Sequence, residues 1–334
     1  MTTLLKIFWL KTLNGGGLVG GVLLAISAEN PFNFWFGLEL NMISYICYVM
    51  HTQQANSSEM IMKYFLTQAV CSSLFIFMMM FSQQKISLHL AAMAMIMKIG
   101  GAPFHFWFPQ VAENLSWNQL LILMTLQKVA PLAALDYMSS SEGELLTLTA
   151  TASAFVGAVG GFNEISLRKL LAFSSISHLA WMLASMLLPT NTWKTYLTIY
   201  SVILLMLLAA FQHLQTSRLG CLTSSQITPP QQLSIIISML SLMGLPPFLG
   251  FLPKLMVILN MVKHSLTILM TILLISSATT LFYYLRLSLL TSTFKQPLQM
   301  SFSKGAKESL ILTHTTTINT TGMLLVWPLL LMFK

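Results

Sequence analysis

Apolar segments of about 20 residues, separated by short polar turns, follow one another along almost the whole chain. A membrane-spanning helix needs about 20 consecutive apolar residues, so the pattern predicts an all-α polytopic membrane protein with about 11 transmembrane helices and no soluble domain. The predicted spans are residues 3–25, 31–50, 59–81, 86–108, 117–137, 143–161, 167–188, 193–212, 231–262, 265–290 and 310–333.

Charged residues are scarce, which supports the same class of protein. Hydrophobic residues make up 55% of the 334 positions and charged residues only 8%, with a mean hydropathy of +0.75, whereas a soluble domain is about 25% charged. The net charge of +8 comes from scattered Lys and Arg without a basic run, so nucleic-acid binding is not expected. The three cysteines lie far apart, and no metal-ligand spacing is present.

The basic residues of the predicted loops favour one orientation of the chain. Lys and Arg accumulate in loops on the cytoplasmic or matrix side of a membrane. The loops on the side of the N-terminus hold more of them than the opposite loops, which predicts an N-terminus on the matrix side. The two sets are Arg168, Lys169, Arg218, Lys295, Lys304 and Lys307 against Lys85, Lys194, Lys263 and Lys334.

Two of the predicted helices contain the same proline pattern. Residues 103–109 and 247–253 both begin with Pro-Phe and end with a second proline after four further residues. An interior proline lacks an N–H and frees the carbonyl one turn earlier. Pro103 would thus free the carbonyl of Ile99, and Pro253 that of Leu249. We expect helical bonding to lapse at Pro103 and Pro247, and the freed carbonyls to face a polar interior because lipid does not tolerate them.

Paired broken helices in two halves of a chain are typical of transporters built from inverted repeats, which bind their substrate at the centre of the membrane. The shared spacing therefore predicts an antiporter-like fold in which the two segments superpose about an axis in the membrane plane. Pro131 adds a third interior proline, three residues after Lys128.

Five ionisable residues lie near the middle of predicted spans, on five different helices: Glu39, Lys98, Lys128, His178 and Lys254. A charged side chain at the bilayer centre costs at least about 2.5–3.5 kcal/mol and usually has a function. Buried lysine changes its protonation readily in response to its neighbours, a carboxylate is its natural partner, and histidine relays protons between its ring nitrogens. These residues predict a path for protons along the membrane midplane.

Each of these residues also has a purely structural interpretation. Glu39 can form a static ion pair that fixes helix packing, Lys98 and Lys128 can extend toward an interface, and His178 can be a hydrogen-bonded core residue beside its serines. Residues near the ends of predicted helices are assigned interfacial roles: His105 and Lys63.

Several motifs around these positions resemble one known family. The motifs are residues 36–41, 63–68, 98–109, 127–128, 167–178 and 244–254. Together they are similar to the mitochondrial NADH dehydrogenase subunit 2 family, the antiporter-like, proton-pumping subunits of respiratory complex I in the inner mitochondrial membrane.

The resemblance implies a role for each buried residue. Glu39 would pair with Lys98, Lys128 would connect that site along the central axis, Lys254 would hold a second half-channel, and His178 would lie between the two halves. These five are the residues expected to translocate protons.

The resemblance also implies an organisation and a set of partners. Residues 1–334 would form one transmembrane domain, with half-channels around 31–137 and 143–290 and a C-terminal helix at 310–333. The partners would be neighbouring antiporter-like subunits, accessory subunits and lipids. NADH, FMN, iron–sulfur clusters and ubiquinone would bind to other subunits, with no cofactor and no redox chemistry in this chain.

Two other functions share parts of this pattern. A stand-alone cation/proton antiporter would have the same broken helices and buried lysines, and would be active as a purified chain in liposomes. A structural assembly subunit would use its buried charges only to specify packing, and a complex lacking those charges would then pump normally.

Overall fold

Every regular element that the computed structural model describes is an α-helix. The described residues are 2–50, 57–81, 85–139, 141–214, 229–293 and 317. Within these ranges the helices are α1 (Thr2–Ile26), α2 (Pro31–Met50), α3 (Ser57–Met80), α4 (Lys85–Ile99), α5 (Trp107–Glu113), α6 (Trp117–Met124), α7 (Leu126–Met138), α8 (Gly143–Gly160), α9 (Leu167–Met186), α10 (Thr192–Leu214), α11 (Pro229–Met243), α12 (Phe251–Lys263) and α13 (Thr267–Thr293).

The helices follow the predicted apolar spans closely. Every span except 310–333 coincides with one helix or with a pair of consecutive helices, so the all-α prediction is confirmed there. Residues 310–333 fall outside the described part of the chain apart from Thr317, and the count of about 11 spans remains a prediction. Within the described part of the chain, five helical stretches are long and apolar enough to cross a membrane: Ser58–Met80, Trp117–Met138, Gly143–Gly160, Thr192–Gln212 and Thr267–Ser292.

The chain divides into two compact units, residues 1–153 and 154–334. In the first, α1 packs on α2, α2 on α3, α3 on α4, and α7 contacts both α4 and α1. In the second, α10 packs on α9, α11 and α12, while α13 contacts α9, α11 and α12. Each unit therefore surrounds one of the two broken helices with other helices, and the proposed half-channel boundaries remain predictions.

The first break separates α4 from α5 and comprises residues 100–106. Gly100 has a φ of +80°, and its N–H donates to the carbonyl of Met97 at 3.1 Å, while the N–H of Gly101 donates to that of Ile96 at 2.9 Å. These two bonds form a Schellman motif. The motif needs one residue in the left-handed backbone conformation, which glycine adopts without strain.

The second break separates α11 from α12 and comprises residues 244–250. Gly244 has a φ of +78°, its N–H donates to Ser241 at 3.0 Å, and the N–H of Leu245 donates to Leu240 at 3.5 Å. The two breaks thus have the same length and the same helix-ending motif.

The predicted breaks at Pro103 and Pro247 are confirmed, but their cause is different from the one expected. Each helix is ended by a glycine three residues before the proline, which then lies inside the gap. The prediction for Leu249 is wrong, because its carbonyl accepts the N–H of Leu252 at 3.2 Å and is therefore not freed. A tight turn at the start of α12 supplies that donor.

The predicted span 117–137 is also interrupted, at Thr125 between α6 and α7. Its hydroxyl donates to the carbonyl of Leu121 at 2.7 Å, in competition with the backbone ladder. Its own carbonyl accepts the N–H of Lys128 at 3.1 Å. Pro131 lies inside α7 without ending it, so the interruption sits earlier than a proline argument would place it.

Candidate functional site

In the first unit, the side chains of Lys98 and Lys128 line one small cavity. Lys98 is 7% exposed at the end of α4 and Lys128 is 1% exposed in the first turn of α7. The cavity offers about the space that a single water molecule needs. Its lining consists of Tyr64, Gln68, Lys98, Ile99, Trp107, Phe108, Leu123, Gln127 and Lys128. The structure thus brings two of the predicted residues together around room for one proton-carrying molecule.

The end of α4 is fixed by side chains from neighbouring helices. The amide of Gln68 on α3 donates to the carbonyl of Lys98 at 3.1 Å, and the indole N–H of Trp107 on α5 donates to that of Met97 at 3.0 Å. Inside the break, the N–H of Ala102 donates to the hydroxyl of Ser153 on α8 at 3.1 Å. The polar backbone exposed by the break is therefore satisfied inside the protein, as it must be in lipid.

The Lys98 ammonium group is buried without a partner in the residues that the structure describes. There its Nζ has no hydrogen bond and no carboxylate oxygen within 4.0 Å. Glu39 on α2 is near enough to interact with it electrostatically, but the Glu39 carboxylate accepts a hydrogen bond from Ser72 on α3. The direct Glu39–Lys98 ion pair implied by the resemblance is not formed in this arrangement.

An exchange of two amide hydrogen bonds joins the helices that carry Glu39 and Lys128. Asn41 on α2 and Gln127 on α7 each donate to the other's side-chain oxygen at 3.2 Å. The Lys128 Nζ lies 5.4 Å from the centroid of the Phe108 ring, a cation–π contact. The Asn41–Gln127 pair thus keeps the helix of Glu39 against the helix of Lys128, beside the cavity that Lys98 and Lys128 line.

In the second unit, Lys254 lies at the broken helix as predicted. It is the fourth residue of α12 and 7% exposed, and its Nζ donates to the carbonyl of Met243, the last residue of α11, at 2.7 Å. The same Nζ is 5.8 Å from the centroid of the Trp181 ring on α9. The break thus provides the acceptor that a buried ammonium group requires.

His178 lies on α9, one turn before Trp181, and is 7% exposed. Its Nδ1 is 2.8 Å from the hydroxyl of Tyr196, and its ring centroid is 4.8 Å from that of Tyr200. The neighbouring serines donate to carbonyls of their own helix. Two tyrosines of α10 therefore contact the ring of His178.

Sequence reasoning assigned no role to several residues of these sites. Gln68, Asn41 and Gln127 lie within the motifs named above and are uncharged polar residues inside apolar helices. Such residues are costly without a partner, and this could have indicated their role. Tyr196 and Tyr200 are spaced four apart on α10 and so share a helix face. Ser72 gave no signal, because a buried serine bonding its own helix is common.

A buried carboxylate also lies away from these sites. Glu142, placed in a loop by the sequence, is only 2% exposed, and its carboxylate contacts the imidazole of His89 on α4, whose side chain is 44% exposed. Lys63, in contrast, forms an exposed pair with Glu59 at 2.7 Å at the start of α3. The half-exposed imidazole of His89 thus contacts a buried carboxylate.

Comparison with known proteins gives consistent matches over most of the chain. A family model described as NADH:quinone oxidoreductase/Mrp antiporter, TM, matches residues 77–280. The NADH-ubiquinone oxidoreductase chain 2 of Anopheles gambiae is 40% identical over 284 residues, covering 81% of this chain and 82% of the relative. That of Halichoerus grypus is 34% identical over 331 residues, covering 94% and 95%.

Two solved structures share the fold. A chain of respiratory complex I from Thermus thermophilus with bound aureothin has a TM-score of 0.81 at 23% identity, covering 94% of this chain and 78% of that one. A chain of the Mrp complex from Dietzia sp. DQ12-45-1b has a TM-score of 0.75 at 17% identity, covering 84% and 60%. The helical arrangement is thus that of antiporter-like membrane chains, as predicted.

Proposed function

Because the chain belongs to the NADH-ubiquinone oxidoreductase chain 2 family, we propose that it is a proton-translocating membrane subunit of NADH:ubiquinone oxidoreductase. The observation that carries this function is the placement of buried lysines at two matching helix breaks, Lys98 at the first and Lys254 at the second. Such buried cations are expensive in a membrane and are kept where ions move.

Proton transfer in the first unit would use the shared cavity. Two ammonium groups around one small cavity repel each other, so Lys98 and Lys128 favour sharing one proton over holding two. A single water in that space is enough to carry the proton between them. The cavity walls hold the lysines in place through Gln68 and Phe108.

Glu39 would decide which lysine holds the proton. Unit charges about 4 Å apart interact by roughly 4 kcal/mol at an effective dielectric near 20. When the carboxylate approaches Lys98, the ammonium form of that lysine is favoured. When it moves away, as in the arrangement with Ser72, the proton is released toward Lys128. A change in a neighbouring subunit that moves α2 would thus drive the transfer.

In the second unit, Lys254 would exchange its proton through the break. Its ammonium group is held by a carbonyl at the C-terminal end of α11, where the helix dipole also favours positive charge. His178, with Tyr196 and Tyr200, would relay protons along α9 and α10. Trp181 lies one helical turn after His178 on α9 and contacts the Lys254 ammonium group.

The other elements of the complex would lie in other chains. The chain would sit in the inner mitochondrial membrane beside neighbouring antiporter-like subunits, accessory subunits and lipids. NADH, FMN, iron–sulfur clusters and ubiquinone would be bound elsewhere. Support comes from the solved structures of similar fold, which are chains of respiratory and Mrp complexes.

The loop charges further predict that the N-terminus and the loop before α9 lie on the matrix side. We expect Asn163→Cys, exposed in the loop before α9, to react with an impermeant thiol reagent in inverted inner-membrane particles only. Asn191→Cys, exposed in the loop after α9, should react in mitoplasts only. The opposite labelling pattern for the two positions would reverse the orientation.

The role of Glu39 gives the test of the proposed function. We expect Glu39→Gln to lower coupled quinone reduction and proton pumping of the assembled complex about tenfold, equivalent to about 1.4 kcal/mol. Glu39→Asp should retain part of both, because charge matters more than length. The matched control is Glu29→Gln, an exposed carboxylate in the turn before α2, which should leave both activities unchanged.

A double-mutant cycle separates tuning from packing. Glu39→Gln combined with Lys98→Met should be clearly non-additive, since Glu39 acts by tuning the charge of Lys98 and has nothing left to tune once that lysine is replaced. Equal tolerance of Gln and Asp at position 39, together with normal pumping, would instead support a structural assembly subunit.

A further inference from the structure

The residue that holds the Glu39 carboxylate in this structure is Ser72. Its side chain is fully buried on α3, and its hydroxyl contacts the carboxylate directly. We propose that Ser72 is a positioning residue that competes with Lys98 for Glu39 and so stabilises the separated state of that pair. This inference rests on the proposed function, because separation of the pair is the step that releases the proton.

The Ser72 hydroxyl can serve both protonation states of Glu39. It has one proton and two acceptors within reach, the Glu39 carboxylate and the carbonyl of Ala69 at 3.1 Å. Facing an ionised Glu39, Ser72 donates to the carboxylate. Facing a protonated Glu39, its oxygen accepts a hydrogen bond from the carboxyl O–H, and its own hydroxyl donates to the carbonyl of Ala69. Glu39 therefore keeps a partner whether or not it carries a proton, without needing Lys98.

The state of Lys98 matches this competition. While Ser72 holds the carboxylate, the Lys98 Nζ is buried with no hydrogen-bond partner among the described residues. An unpartnered buried ammonium is strongly disfavoured, so this arrangement favours loss of its proton. Ser72 thus acts on Lys98 through Glu39, not by contact.

One face of α3 carries all of these contacts. Tyr64, Gln68 and Ser72 are spaced four apart and therefore lie in one row along the helix. Tyr64 and Gln68 line the lysine cavity, Gln68 also bonds the Lys98 carbonyl, and Ser72 holds Glu39. A small movement of α3 relative to α2 would thus change the Glu39 contact while the end of α4 stays attached.

The test removes the hydroxyl in the complete complex. Ser72→Ala is expected to let Glu39 remain with Lys98 and to lower coupled quinone reduction and pumping about tenfold. Ser72→Thr, which keeps the hydroxyl, should restore most of both. The control is Ser73→Ala at the next residue, which is exposed and whose hydroxyl donates to the carbonyl of Val70 at 3.0 Å. This variant should behave as the unaltered chain.

A second measurement distinguishes positioning from packing. In the Lys98→Met background no lysine competes for Glu39, so Ser72→Ala should cause no further loss. An additional tenfold loss there, or no rescue by Ser72→Thr, would overturn the inference. If Ser72→Ala does not assemble, Ser72→Cys, a weak donor of similar size, should show an intermediate loss, and full activity of this variant would also overturn it.

The same series separates this inference from the proposed function. Normal pumping by Ser72→Ala, with impaired pumping by Glu39→Gln and Lys98→Met, would remove only the role of Ser72. Normal pumping by an assembled Lys98→Met complex would instead remove the first unit from the proton path, which is the part of the proposed function that this inference rests on.

Discussion

Lys98→Met is expected to leave the complex assembled and to lower its coupled quinone reduction about 100-fold, the scale of a lost proton-transfer group. Methionine is unbranched and fits irregular buried sites, so the cavity should remain filled. The ammonium group, which has no hydrogen-bond partner among the described residues, contributes no contact whose loss would unfold α4. Activity should therefore fall without a matching loss of stability.

The control for this change lies on the same helix. Lys85 is the first residue of α4 and is exposed, so Lys85→Met removes the same charge without touching the cavity. Native gels should show equal amounts of both complexes, and proton pumping in vesicles should fail only for Lys98→Met. Normal pumping by the assembled Lys98→Met complex would remove the first unit from the proton path.

The burial of the charged residues could be predicted because it follows from position alone. Lys98, Lys128 and Lys254 lie too far from the ends of their apolar segments to reach water, and all three are buried. The two breaks were also predictable from their prolines, although a glycine three residues earlier ends each helix. These features are local in sequence.

The contacts made by these residues could not be predicted in the same way. That Ser72 holds Glu39, or that Tyr196 meets the imidazole of His178, depends on which helices pack together and at what height. The break at Thr125 depends on one hydroxyl competing with the backbone, which many threonines in helices do without consequence. Composition and spacing carry no information about either.

The two breaks have the same length and the same helix-ending motif, but their lysines lie on opposite sides of the break. Lys98 precedes its break and lies in the last turn of α4, whereas Lys254 follows its break and reaches back to Met243 at the end of α11. Lys98 thus lies in the last turn of the helix before its break, and the Lys254 ammonium group binds the last carbonyl of the helix before its own break, where the dipole favours a cation. The symmetry axis that relates the two segments remains a prediction.

The second break depends on a glycine that leaves no room for any side chain. A Cβ atom added to Gly250 would lie 1.7 Å from the carbonyl oxygen of Ser241 on α11. That oxygen is backbone and already accepts the N–H of Gly244, so it cannot turn away without dismantling the helix-ending motif. Gly250→Ala is therefore expected to destabilise the second unit by at least about 3 kcal/mol, the upper range for overpacking.

The measurement is the yield and the thermal unfolding temperature of the complex that contains Gly250→Ala. We expect little assembled complex, because α11 and α12 must separate and Lys254 then loses its carbonyl partner. Gly16→Ala is the matched control, since it lies inside α1 with no atom within 4 Å of the added Cβ; it should be neutral or slightly stabilising, because alanine favours a helix by about 1 kcal/mol over glycine. Equal yield and stability for the two variants would show that α11 and the residue before α12 do not approach each other at Gly250. That result would contradict the close packing that places Lys254 at the break.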